Sequence, residues 1–145
     1  MGESAGYSGK LEVMRTENEV VDAVRGYLES AGWEITSYAH GQTQGHDILA
    51  RRGARELIVE AKGEGSGTTG TKRYGTDFSS SQVTSHVARA IYVAMKAVAN
   101  RQEAAIALPS TDVHDRTVSR VKGPLNALGI AVYWVHADRS VSVES

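Results

Sequence analysis

The sequence has no cysteine, two prolines and one phenylalanine in 145 residues. Without cysteine there is no disulfide, no thiolate metal site and no cysteine nucleophile, which fits a reducing cytoplasm. No apolar run approaches the ~18 residues needed to cross a bilayer. The polar start has no signal-peptide core, so a cytoplasmic location and no membrane partner are expected. An excess of either charge is also missing. The 16 Lys+Arg against 17 Asp+Glu leave a net −1, which argues against a uniformly basic nucleic-acid binder.

Hydrophobic residues make up 41%, and 15 glycines come in addition. A packed core is therefore expected, and global disorder is not. The length suits one domain of roughly 100–200 residues. The near-zero charge is an average of two unlike parts. Residues 1–50 sum to −5 and residues 51–145 to +4.

Residues 1–15 are small and polar without a period and read as a flexible lead-in, followed by a single domain over 16–145. A helix is predicted over 16–31, with Thr16 and Glu19 as a capping box and Gly32 just past its end. Its apolar stripe is Val20, Val21, Val24, Tyr27, Leu28 and Ala31. A strand over 33–39 and a polar connection over 40–46 follow. Two strands, 47–52 and 55–62, meet at Gly53-Ala54, where a leading glycine suits a type II′ hairpin. Residues 63–81 have no hydrophobic period and read as a long mobile loop. A second helix spans 82–100, with Val83, Val87, Ala90, Ile91, Ala94 and Val98 inward. A strand over 104–108, a third helix from Thr111 or Asp112 toward Leu128 with a break near Gly123-Pro124, and strands over 130–136 and 141–143 complete a mixed α/β domain.

Pairing outward from the turn places Arg52 opposite Arg55 and, at the far end, Asp47 opposite Glu60. Their Cβ atoms then lie roughly 5 Å apart. Opposed carboxylates repel unless a cation lies between them. Hard oxygen ligands with open positions suit Mg²⁺, with Mn²⁺ as a substitute. The Ala61 backbone carbonyl is a further oxygen within reach. Lys62 falls on the same strand face as Glu60, where an ammonium can orient or deprotonate a water. Glu17 lies on the buried stripe of the first helix and needs a partner there. Its alternative role is that of a first-turn acid favoured by the helix dipole.

Glu17, Asp47 in GHDILA, and Glu60-Ala61-Lys62 in IVEAKG together resemble the PD-(D/E)XK nuclease superfamily, over roughly residues 16–108. The resemblance implies a restriction-endonuclease-like αβββαβ core, a mixed central sheet flanked by helices, here extended by a third helix and C-terminal strands. It implies Mg²⁺-dependent hydrolysis of DNA phosphodiester bonds, with Asp47 and Glu60 as metal ligands and Lys62 activating water or stabilising charge. His46 stands where the motif's name has proline. Gln82, in the position of a glutamine that some branches of that superfamily use at the active site, shares a helix face with His86 and Arg89. An ordinary polar helix face is the other reading of these three residues.

Lys72, Arg73 and Tyr74 in the long loop offer two cations and an aromatic for phosphates and bases. GSGTTG at 65–70 satisfies GxGxxG, but no helix period starts there, so no organic cofactor is expected. His40, His114 and His136 lack ligand spacing and read as surface or satisfied groups. The expectation is an endonuclease of restriction, repair or junction-resolving type, paired as a homodimer if it cuts both strands. The rival is a non-catalytic nucleic-acid-binding module that keeps the fold.

Overall fold

The computed structural model describes residues 14–40, 45–64 and 79–145. Thr16 begins helix α1 (Glu17–Ser30) with the expected capping box: its side chain accepts from Glu19 N–H, and the Glu19 carboxylate accepts from Thr16 N–H. Two orphan amides are thereby satisfied at once. Strands β1 (Glu34–Tyr38), β2 (Ile48–Arg52) and β3 (Arg55–Ala61) follow. Helix α2 (Ser80–Ala99) and β4 (Glu103–Pro109) come next, then α3 (Asp112–Ser119), α4 (Lys122–Ala127), β5 (Ala131–Val135) and β6 (Val141–Glu144).

The six strands form one sheet in sequence order. β1, β2 and β3 are an antiparallel meander. β3, β4 and β5 are parallel, because each is joined to the next by helical crossovers long enough to return the chain. β6 closes antiparallel on β5. The β2–β3 register runs from Arg52↔Arg55 to Ile48↔Val59, the register the turn dictates. Gly53 has φ +63 and Ala54 is not in the left-handed region, the pattern of a II′ turn.

Two apolar clusters sit on the two sheet faces. Val20, Val21, Val24 and Leu28 of α1 pack on Leu57, Val59, Ala61, Ala105 and Ala107. Val83, Val87, Ala90 and Ala94 of α2, with Val118 and Leu125, pack on Ile58, Ile106, Leu108, Val132 and Trp134. Each Val, Leu or Ile among them contributes about 1.5–3 kcal/mol when fully buried. Strand alternation assigns Glu60 and Lys62 to the face of Ile58, under α2. Leu49, which packs with the same cluster, brings Asp47 to that face too.

Three boundaries differ from the sequence reading. α2 starts two residues before Gln82, because Ser79 and Gln82 form a capping box of their own. The third helix is two helices separated at Arg120–Val121, not at Gly123-Pro124. Pro124 is the third residue of α4, within the first turn where its missing N–H costs no hydrogen bond. Met14 and Arg15, assigned to the lead-in, are buried. The Arg15 side chain donates to Val135 O at 2.8 Å and to the Glu64 carboxylate at 2.9 Å, so a cation bound inside the fold ends the lead-in. The loop expected over 63–81 lies largely outside the described residues, but its first two, Gly63 and Glu64, are held against α1.

Candidate active site

Asp47 stands just before β2 and is fixed from two sides. Its carbonyl accepts from Ala39 N–H of the β1 end at 2.9 Å, and its carboxylate Oδ2 accepts from Ala61 N–H at 2.8 Å. On the other side of β3, Lys62 N–H donates to Ala107 O. Alternate residues of a strand present their backbone groups to opposite neighbours, so the Ala61 N–H and C=O are both directed toward β2 and Asp47. The amide holds the carboxylate, and the carbonyl is an oxygen beside it.

The Glu60 carboxylate lies within hydrogen-bonding and charge range of Asp47. Burial first, and then the Asp47 charge, push the Glu60 pKa up to about 7. Asp47 is also raised, by burial, against the opposing pull of the Ala61 amide and Lys62. Lys62 Nζ lies 3.9 Å from Glu60 Oε2, and both side chains are less than one-fifth exposed. Glu17, at the first turn of α1, is raised by burial and by Asp47, and Lys62 partly counters this. Glu17, Asp47, Glu60 and Lys62 thus share one electrostatic neighbourhood, although they come from three elements.

Gly63 explains how α1 reaches this point. A Cβ on Gly63 would lie 2.5 Å from Glu17 N and 2.8 Å from Thr16 C. Only a residue without a side chain lets the end of β3 run against the start of α1. Glu64 secures the crossing. Its N–H donates to Arg15 O at 2.9 Å, and its carboxylate accepts from Arg15 N–H and Nε–H.

On the α2 side, His86 is half-buried near Lys62. Its pKa is lowered by burial, then by the Lys62 and Arg89 charges. Arg89 is exposed one turn further along. The Gln82 side-chain oxygen accepts from Ser79 N–H at 2.7 Å, so that oxygen serves the helix cap. Lys72, Arg73 and Tyr74 lie outside the described residues, as does the GSGTTG segment at 65–70.

The donor set suits Mg²⁺ as an open site. Two carboxylates and a carbonyl leave the remaining positions to water, as this small, strongly hydrated ion prefers. Among the described residues no group of three or more His, Cys, Asp or Glu side chains is placed to hold a metal ion, so an ion here would rely on the two carboxylates, the carbonyl and water.

Arg15, Gly63, Glu64 and His114 were not distinguished from sequence. His114 differs from its surface-or-satisfied reading: it is 2% exposed. Thr111 Oγ1 accepts from His114 N–H at 3.1 Å and lies 2.7 Å from Nδ1. A hydroxyl donates once and accepts twice, so the Thr111 contact at Nδ1 fits either neutral tautomer, and the other ring nitrogen is Nε2. That atom is buried with no partner among the described residues. Burial, then the Arg15 and His86 charges, lower the His114 pKa to about 4.

The unfolded state therefore takes up the His114 proton at a higher pH than the folded state. Stability is full above pH ~6.5 and is lost as pH falls toward 4, by at most about 3 kcal/mol. Glu60 acts in the opposite sense over an overlapping range, so the signature is a difference. Urea unfolding of wild type and His114→Gln between these pH values should converge in stability as the pH falls. Parallel curves would exclude His114 as the acid-sensitive group.

No family model matches the chain, and no curated protein matches it in sequence. Among solved structures, Pyrococcus furiosus SfsA in complex with Ca²⁺ is similar, with a TM-score of 0.41 and 16% identity. The match covers 89% of this chain and 59% of SfsA, so the chain spans about three-fifths of that protein's length. No helix among the described residues is long and apolar enough to cross a membrane.

Proposed function

We propose that this chain is a divalent-metal-dependent nuclease of PD-(D/E)XK type that hydrolyses DNA phosphodiester bonds. The observation that carries the reading is the meeting of Asp47, Glu60 and Lys62 on one sheet face, with Glu17 delivered beside them by the close crossing at Gly63. A structural ion pair needs one acid per base. Here three acids are gathered around one lysine, and burial raises the pKa of each of them.

In this reading Asp47, Glu60 and the Ala61 carbonyl hold Mg²⁺, which when bound supplies Lewis acidity toward a phosphate oxygen. The Ala61 amide fixes the Asp47 carboxylate in its orientation. Lys62 holds the attacking water and offsets charge on the phosphate. Glu17 takes part through the field it shares with Asp47 and Lys62. The new bond forms between the water oxygen and phosphorus. The bond from phosphorus to the leaving sugar oxygen breaks, giving a phosphate monoester and a free hydroxyl. Cleavage of both strands would call for a homodimer.

Duplex, single-stranded and branched DNA incubated with purified protein in Mg²⁺ or EDTA tests the proposal. Cleavage is expected in Mg²⁺ alone and is expected to fall by about 10²–10³-fold in Asp47→Ala and Lys62→Ala, a loss typical of removing a group that stabilises transition-state charge. Binding without cutting on every substrate would favour the non-catalytic binding module. Cutting that persists in both variants would place the chemistry elsewhere.

A further inference from the structure

The uneven charge along the sequence becomes a difference between the two faces of the sheet. α1 carries Glu17, Glu19, Asp22 and Glu29 against Arg25 alone. α2, on the other face, carries Arg89 and Lys96 and no acidic residue in its 20 positions. Glu60 and Lys62 are on the α2 face. At 100° per residue, Gln82, His86, Arg89, Tyr92 and Lys96 form one stripe beside the buried stripe of Val83, Val87, Ala90 and Ala94. Near its start His86 feels the Lys62 charge, and from there the stripe runs away from the site. Tyr92, 62% exposed, is the most exposed large hydrophobic side chain among the described residues. The Lys96 ammonium lies 5.1 Å from its ring centre. An aromatic in that position contributes nothing to the core. Two cations beside it, with no acid paired to them among the described residues, suit a polyanion with flat groups along it.

We propose that α2 is the track along which the DNA strand flanking the scissile phosphate lies, with its phosphates on Arg89 and Lys96 and a sugar or base against Tyr92. The seven-residue step from Arg89 to Lys96 rises about 10 Å. That span corresponds to roughly three phosphates of one strand at 3.4 Å along the duplex axis. The proposal rests on the nuclease reading for the position of the scissile phosphate, while the track itself binds with or without chemistry.

Fluorescence anisotropy of a two-turn DNA duplex and of its single strand, in EDTA and across about 50 to 200 mM salt, measures the track. Arg89→Gln and Lys96→Gln should each flatten the slope of log K against log salt by about 0.9, and the double variant by about twice that. Tyr92→Ala should weaken binding several-fold at every salt concentration without changing the slope. Arg139→Gln, on the α1 side where Arg139 pairs with Glu19, should keep the wild-type slope. Unchanged slopes in Arg89→Gln and Lys96→Gln overturn the track. So does a shift of either variant from dimer to monomer with DNA affinity intact, because the face would then serve a second copy. A wild type that cuts while these slopes are unchanged keeps the nuclease reading and removes the track. A wild type that never cuts, yet loses slope in these variants, removes the nuclease reading and keeps the track. Duplex against single strand decides which form of DNA the track holds.

Discussion

Gly63→Ala should cost about 3 kcal/mol, at the upper end of what overpacking a close contact costs, and should lower the melting temperature by roughly 10 °C. The added methyl would meet Glu17 N at 2.5 Å, Thr16 C at 2.8 Å and Arg15 O at 3.1 Å. All three are backbone atoms, so no side chain can rotate out of the way. Relief requires the start of α1 to move off the end of β3. That motion strains the Glu64–Arg15 hydrogen bonds and withdraws Glu17 from Asp47 and Lys62. Thermal melts measure the stability, and Mg²⁺-dependent cleavage measures the site. A variant within 0.5 kcal/mol of wild type, near the ordinary range for surface substitutions at about ±0.5 kcal/mol, would mean the crossing has room the geometry does not provide.

Glu60→Gln should move stability and activity in opposite directions. The folded chain holds the Glu60 proton up to a pKa of about 7, whereas an unfolded glutamic acid releases it near 4.5. Between those values the unfolded state binds fewer protons, so the wild type loses stability as pH rises and stays at the lower level above 7. The full shift corresponds to about 3 kcal/mol, an upper bound because part of it comes from the Asp47 charge, which itself depends on pH. Glutamine removes the charge and keeps the shape. Without metal, the variant should be more stable than wild type at pH 8 by about 1–3 kcal/mol and equal to it near pH 4.5. Mg²⁺ should raise the wild-type melting temperature through binding to the folded state alone, and should leave the variant's unchanged while cleavage is lost. If the variant were less stable than wild type at pH 8 without metal, the carboxylate would be a structural partner of Lys62 and not a strained ligand.

Some of the site was legible because it is local. The Gly53-Ala54 turn fixes the hairpin, the hairpin fixes its register, and the register brings Asp47 to Glu60. Strand alternation then puts Lys62 beside Glu60. The α1 cap was equally legible, since Thr16 and Glu19 need only each other. Ser79 and Gln82 carried the same signal, but the glutamine was assigned to the site and its cap was passed over. Glu17 was half legible: helical spacing puts it on the buried stripe, while nothing in the stripe names what it meets.

Other parts depend on residues far apart in the chain. Gly63 reads as the first residue of a glycine-rich loop, and its requirement is imposed by the backbone of Arg15, Thr16 and Glu17. Arg15 looks like the tail of a polar lead-in until Val135 and Glu64 supply its acceptors. His114 looks like a surface histidine on a helix because its burial comes from α2 and the Arg15 segment.

The mixed α/β class, the helix stripes and the hairpin register up to Ile48↔Val59, one step short of Asp47 and Glu60, were written in the sequence, since each follows from backbone periods and a turn spanning a few residues. Long-range packing set the approach of α1 that delivers Glu17, the contrast between an acidic α1 and an α2 without acids on opposite sheet faces, and the burial of a histidine whose Nε2 has no partner among the described residues. Those features arise where segments many residues apart exclude one another's volume and one another's water, and no local spacing records such a meeting.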